Sequence, residues 1–130
     1  MSQAVDEAPR ERTAATRRVL LVDGDHSWRE LRATILRLEG HDVVCAGSAA
    51  EALGLLVRTR PEVVLVGLDL PDRSGLELPP LLRGAADGLR LVAMTWNEVG
   101  TADPRALAAG FDDCIPRRPI LLSELRRVIG

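Results

Sequence analysis

Three acidic side chains, one hydroxyl and two guanidinium groups each fall just after a short apolar run. Asp23 and Asp25 flank Gly24 behind residues 19–22, and Asp69 follows Gly67 and Leu68 behind 63–66. Thr95 and Trp96 come after 89–94, and Arg117 and Arg118 stand between Pro116 and Pro119. Carboxylates of this kind are weak candidates, as Asp23, Asp25 and Asp69, for a hard cation such as Mg²⁺, which takes oxygen ligands. A hydroxyl and an arginine beside them are donors that stabilise charge on a transferring phosphoryl group. That chemistry requires the chain to bring all these places together.

The intervening sequence is patterned to do so. Residues 19–22, 42–46, 63–66, 89–94 and 113–115 are nearly continuous Val/Leu runs without polar alternation, as a parallel sheet covered on both faces requires. Between them lie helical segments. The first is expected over 27–39, with Leu31, Ile35 and Leu38 as its apolar stripe and Gly40 ending it. Ser48 and Glu51 have capping-box spacing for a second helix, which Leu53, Leu56 and Val57 would bury. A third should open at Pro79 and Pro80 and end near Ala86. Asp103 as cap, Pro104 as first residue and Gly110 as stop define a short fourth. The fifth covers 122–129, with Leu125, Val128 and Ile129 inward. Parallel strands need right-handed crossovers, so the expected architecture is a doubly wound five-stranded parallel sheet in three α/β/α layers. In such sheets the site forms outside the carboxyl ends of the strands, where the residues above lie.

The segments VLLVDGDH, PEVVLVGLDLPDRSGLEL, LVAMT and GFDDCIPRRP, taken in order, resemble receiver domains of bacterial two-component response regulators. The likeness covers 18–130 and implies a flavodoxin-like strand order 2-1-3-4-5. Members of that family carry two acids after the first strand, a phosphoryl-accepting aspartate ending the third, a Thr or Ser after the fourth and a Lys after the fifth. Counted back from Pro71, the acceptor position is Gly67, which has no side chain. The acidic pair maps onto Asp23 and Gly24, the hydroxyl onto Thr95, the lysine onto Arg117 or Arg118, and a switching aromatic onto Cys114. Asp69 and Asp25 are the nearby acids that could substitute. Displacement along a strand by two residues, about 6.6 Å, speaks against Asp69 as acceptor. An arginine, Arg117 or Arg118, is instead expected to fold over the pocket and pair with Asp23 or Asp69. Trp96 either shields the pocket, covers the core or anchors a partner.

The resemblance therefore implies a signalling module that is not an enzyme and acts independently of phosphorylation. It would bind a histidine kinase, another receiver or an effector, or self-associate through the face of the fourth helix, fifth strand and fifth helix. The alternatives are a receiver phosphorylated on Asp69 and a small-ligand sensor at the strand-end crevice. No cofactor is expected beyond a weak Mg²⁺ site.

Composition agrees. The chain has 130 residues, 46% apolar and 28% charged, with net charge −2 and all 17 basic residues arginine. Those arginines are scattered along the sequence, and no helix-turn-helix or phosphate-loop pattern is present, so nucleic-acid or nucleotide binding is not expected. No run approaches the roughly 20 apolar residues that span a bilayer, so a cytoplasmic protein is expected. The first 17 residues lack an apolar face and read as a mobile tail before a folded domain at 18–130. Cys45 and Cys114 fall on opposite sheet edges, about 19 Å apart, and are expected to be buried free thiols. His26 and His41 lack metal-ligand spacing and read as exposed turn residues. Trp28 reads as half-buried packing.

Overall fold

A computed structural model describes residues 16–96 and 103–130. All but the last two residues of the expected tail lie outside the described residues. Five strands, β1 (Arg18–Val22), β2 (Asp42–Ala46), β3 (Val63–Gly67), β4 (Arg90–Thr95) and β5 (Asp113–Pro116), pair in parallel in the order β2-β1-β3-β4-β5. Five helices alternate with them: α1 (His26–Leu38), α2 (Ala49–Thr59), α3 (Leu78–Ala85), α4 (Pro104–Ala109) and α5 (Leu122–Ile129).

Successive side chains of a strand point to opposite faces, and the core divides accordingly. Leu20, Val22, Val64, Val66, Leu91 and Ala93 face α2, α3 and α4, where Leu56, Leu78, Leu82 and Ala106 cover them. Val19, Leu21, Val63, Leu65, Val92 and Met94 face α1 and α5, against Ala33, Leu36, Leu125, Val128 and Ile129. Both faces are covered, which is why the strands are apolar throughout.

The helix ends are set by side chains. Asp25 caps α1 by accepting the Trp28 N–H at 3.0 Å, so the helix starts at His26, one residue before the expected bound. Ser48 Oγ accepts from Glu51 N at 3.1 Å while Glu51 reaches back to Gly47 N at 2.7 Å. Asp72 adds a second cap from a distant loop, taking Ala49 N and Ala50 N at 3.0 and 2.9 Å. The third helix begins one residue before its proline pair, at Leu78, and α4 is capped by Asp103 as its sequence implies.

Two expected apolar faces are corrected. Leu31 and Leu38 are exposed, and α1 buries Arg32, Ala33 and Leu36 instead. Val57 of α2 is also exposed, with Ala52 and Leu56 inward. Leu56 is buried as expected, and Ile35 and Leu53 of the expected stripes pack at the margins of the core. Cys45 and Cys114 are free and lie on the two edge strands, although Cys45 is only partly buried.

Candidate functional site

The carboxyl ends of β1, β3, β4 and β5 converge as parallel pairing demands. Asp23, just past β1, is fully buried, with its N–H bonded to the Ala46 carbonyl at 3.0 Å. Gly67 ends β3 opposite Met94 of β4. A methyl carbon added to Gly67 would stand 3.4 Å from the Asp23 carboxyl group, so this glycine faces that acid with bare backbone. Thr95 is buried at the end of β4, and its carbonyl accepts the Arg117 N–H at 2.6 Å, which fixes the segment after β5 beside it.

Arg117 turns inward. Its Nη2 lies 3.3 Å from Asp23 Oδ1, the arginine-to-acid contact expected from the sequence. A second arginine, which the sequence reading missed, meets the same carboxylate: Arg32 of α1 is 1% exposed and places Nη1 3.4 Å from Asp23 Oδ2. Arg32 also donates Nη2 to the carbonyl of Arg117, tying α1 to the end of β5. Asp23 Oδ1 further accepts the Asp25 N–H at 2.9 Å, and Arg29 Nη1 donates to the Asp23 carbonyl at 2.7 Å. Burial pushes the Arg32 guanidinium pKa down, Asp23 opposes this, and Arg117 adds to it. Arginines scattered in sequence are therefore gathered in space.

Arg118 points elsewhere. Its guanidinium stacks between two indoles, 4.7 Å from the Trp96 ring centre and 5.4 Å from that of Trp28, while Arg117 covers Trp96 at 4.6 Å. Trp96 remains 53% exposed and its Nε1–H donates to Asp69 Oδ2 at 3.3 Å. Asp69 is exposed at the rim, and Asp25 is occupied in capping α1. Gly24 lies against the loop after β3, where an added carbon would press on the Asp69 carbonyl at 3.0 Å. Cys114 packs in the cluster beneath α4, and burial pushes its thiol pKa up. His26 is exposed, whereas His41 is partly buried and accepts the Arg17 N–H on Nδ1 at 3.1 Å.

Besides Arg32, Gly75 escaped the sequence reading. Its N–H donates to the Leu68 carbonyl at 2.7 Å, and an added carbon there would lie 2.6 Å from the Gly67 carbonyl oxygen. The bare backbone at β3 is thus held by a second bare backbone. The sequence signal for Arg32 is its place four residues before Leu36 and beside Ala33, on the helix face that meets the sheet.

A five-stranded sheet in this order, with acid, hydroxyl and guanidinium groups meeting at its carboxyl edge, defines a CheY-like receiver architecture. The chain belongs to the response regulator receiver domain family, which it matches over residues 19–129. It is 34% identical over 108 residues, 83% of its length, to the response regulator MprA of Mycobacterium sp. strain KMS, covering 46% of that protein. The chain thus spans about half the length of the curated relatives it matches. A CheY-like receiver domain protein from Methanospirillum hungatei JF-1 superposes with TM-score 0.73 at 28% identity, covering 86% of this chain and 89% of that one. A response regulator from Burkholderia pseudomallei, solved with a phosphorylated aspartic acid and a calcium ion, shares the fold at TM-score 0.76 and 23% identity, over 88% of this chain and 66% of that one. No helix among the described residues is long and apolar enough to cross a membrane.

Proposed function

We propose that this receiver domain works in two-component signalling without accepting a phosphoryl group, by binding a protein partner. One observation carries the reading: Asp23, the buried acid of the site, is paired with Arg32 and Arg117 and faces a glycine at the end of β3. Transfer of phosphoryl to a carboxylate needs an in-line carboxylate, a cation on the phosphoryl oxygens and donors aimed at them. Gly67 supplies no carboxylate.

Mg²⁺ does not fit the remaining donors. It would have to displace two guanidinium groups from Asp23, and Gly24 contributes no oxygen ligand from a side chain. Asp69, the substitute acceptor, is exposed at the rim and bonded to the Trp96 indole. The surface offers partners something to hold. Leu31 and Leu38 share the outward stripe of α1, and Trp96 is exposed beside Arg117 and Arg118, an aromatic and arginine pairing that favours protein interfaces. A histidine kinase, another receiver or an effector fits this role. Self-association through α4, β5 and α5 is the homotypic form of the same reading.

Titration with Mg²⁺ at constant ionic strength, followed by amide NMR, tests it. The amides of Asp23, Gly24 and Thr95 should shift no more than with an equivalent monovalent salt. Saturable shifts confined to those residues would overturn the reading.

A further inference from the structure

A cleft lies at the amino ends of the strands, the opposite edge of the sheet from Asp23 and Gly67. It has a volume of about 390 Å³ and is lined where α2 and α3 run out and the chain enters β1, β3 and β4. Buried Leu56, Pro61 and Leu89 give it apolar walls, and Ala85 and Ala86 leave room on its α3 side because each carries only a methyl group. Ligand pockets span about 300–1,000 Å³, so this one suits a small ligand.

Two opposite charges border the cleft without partners. Arg60 at the end of α2 and Asp87 past the end of α3 both line it, and neither side chain has a hydrogen bond or ion pair among the described residues. Arg18 and Glu62, which also line it, are engaged: Arg18 Nε donates to the Arg60 carbonyl at 2.7 Å, and Glu62 Oε1 accepts the Arg18 N–H at 2.9 Å. Arg60 also stands against local preference. It is the one residue other than glycine with a positive φ among the described residues, 47°, at the C-cap of α2. Glycine is the usual choice there, and a left-handed backbone costs arginine free energy that glycine does not lose.

We propose that this cleft binds a small zwitterion with an apolar body, a free α-amino acid with an aliphatic side chain. The ligand carboxylate meets the Arg60 guanidinium, whose fork of N–H donors matches it. The ammonium meets Asp87 and the carboxyl-terminal ends of α2 and α3, where the last carbonyls lack helical partners and carry partial negative charge. The aliphatic side chain leaves water against Leu56, Pro61 and Leu89. A ligand with one charge alone would leave the other charge at the rim unanswered. The inference goes beyond the reading of the preceding section and does not depend on it, since the two sites lie at opposite ends of the strands.

The test titrates the whole chain with L-leucine and with L-valine while amide NMR follows Leu56, Arg60, Gly88 and Leu89. N-acetyl-leucine, which lacks the ammonium, and leucinamide, which lacks the carboxylate, form two further arms. Saturable shifts of those amides are expected with at least one of the amino acids. Each one-charge analogue should bind about tenfold more weakly or worse, as loss of a charge-assisted contact requires. Arg60→Gly removes the guanidinium where the backbone suits glycine, so it should melt no lower than the parent and bind about tenfold more weakly or worse. No saturable shift with either amino acid, equal binding of the one-charge analogues, or undiminished binding by Arg60→Gly would each overturn the inference. The first two outcomes are read in the unmodified chain and need no variant to fold. None of them bears on the Mg²⁺ titration, so the two readings fail separately.

Discussion

Arg32 and Asp23, nine positions apart in the sequence, form an ion pair of 3.4 Å in which both side chains are almost wholly removed from solvent. The pair joins the inner face of α1 to the end of β1, and through the Arg117 carbonyl it reaches the segment after β5. It places a buried guanidinium beside the acid of the site.

Removing the acid should be far more damaging than removing either base. Asp23→Ala leaves two buried guanidinium groups without their counter-ion and should cost about 3–5 kcal/mol. Arg32→Leu leaves Asp23 still paired to Arg117 and should cost clearly less. Urea unfolding of the two variants and the double variant checks this, and the double should cost less than the sum of the singles.

Two glycines should respond in opposite directions. Gly75→Ala places a carbon 2.6 Å from the Gly67 carbonyl oxygen and 2.8 Å from Leu68 Cα, and should destabilise by about 1–3 kcal/mol. Gly54, within α2, has nothing within 4 Å of an added carbon, so Gly54→Ala should stabilise by about 0.5–1 kcal/mol. Thermal or urea midpoints against the parent chain measure both.

The strands were readable because a sheet covered on two faces needs uninterrupted apolar runs, as at 63–66, where every residue is buried. Caps were readable because Ser48 and Asp103 act within three residues of themselves. That Arg117 or Arg118 would meet Asp23 or Asp69 followed from family resemblance and charge, and the folded chain takes Arg117 and Asp23. Arg32 went unread despite its place beside Ala33 and four residues before Leu36: arginine is ordinarily a surface residue, and Leu31 and Leu38 drew the apolar stripe to the wrong side of α1. Its partners, Asp23 past the end of β1 and the carbonyl of Arg117 after β5, come together only in the folded chain. The Asp72 cap on α2 and the close approach of Gly75 to Gly67 were hidden for the same reason.

His41 should make stability depend on pH near neutrality. Burial pushes its imidazole pKa down, Glu39 and Asp42 oppose this and Arg17 reinforces it. The folded protein therefore favours the neutral ring, whose Nδ1 accepts the Arg17 N–H. The unfolded chain binds the proton more readily, so stability is full above the ordinary histidine pKa of about 6.5 and falls as pH drops through it. His41→Asn keeps an acceptor and removes the titration. Urea unfolding between neutral and mildly acid pH should show a slope in the parent that the variant lacks.

Whether any side chain here accepts phosphoryl is decided most directly by intact mass. The full chain and Asp69→Ala are incubated with Mg²⁺ and acetyl phosphate, beside a receiver that carries an aspartate at the end of its third strand. An unchanged mass in both forms of this protein, with the control modified, is the expected result. One stable phosphoryl group on the parent, absent from Asp69→Ala, would contradict it.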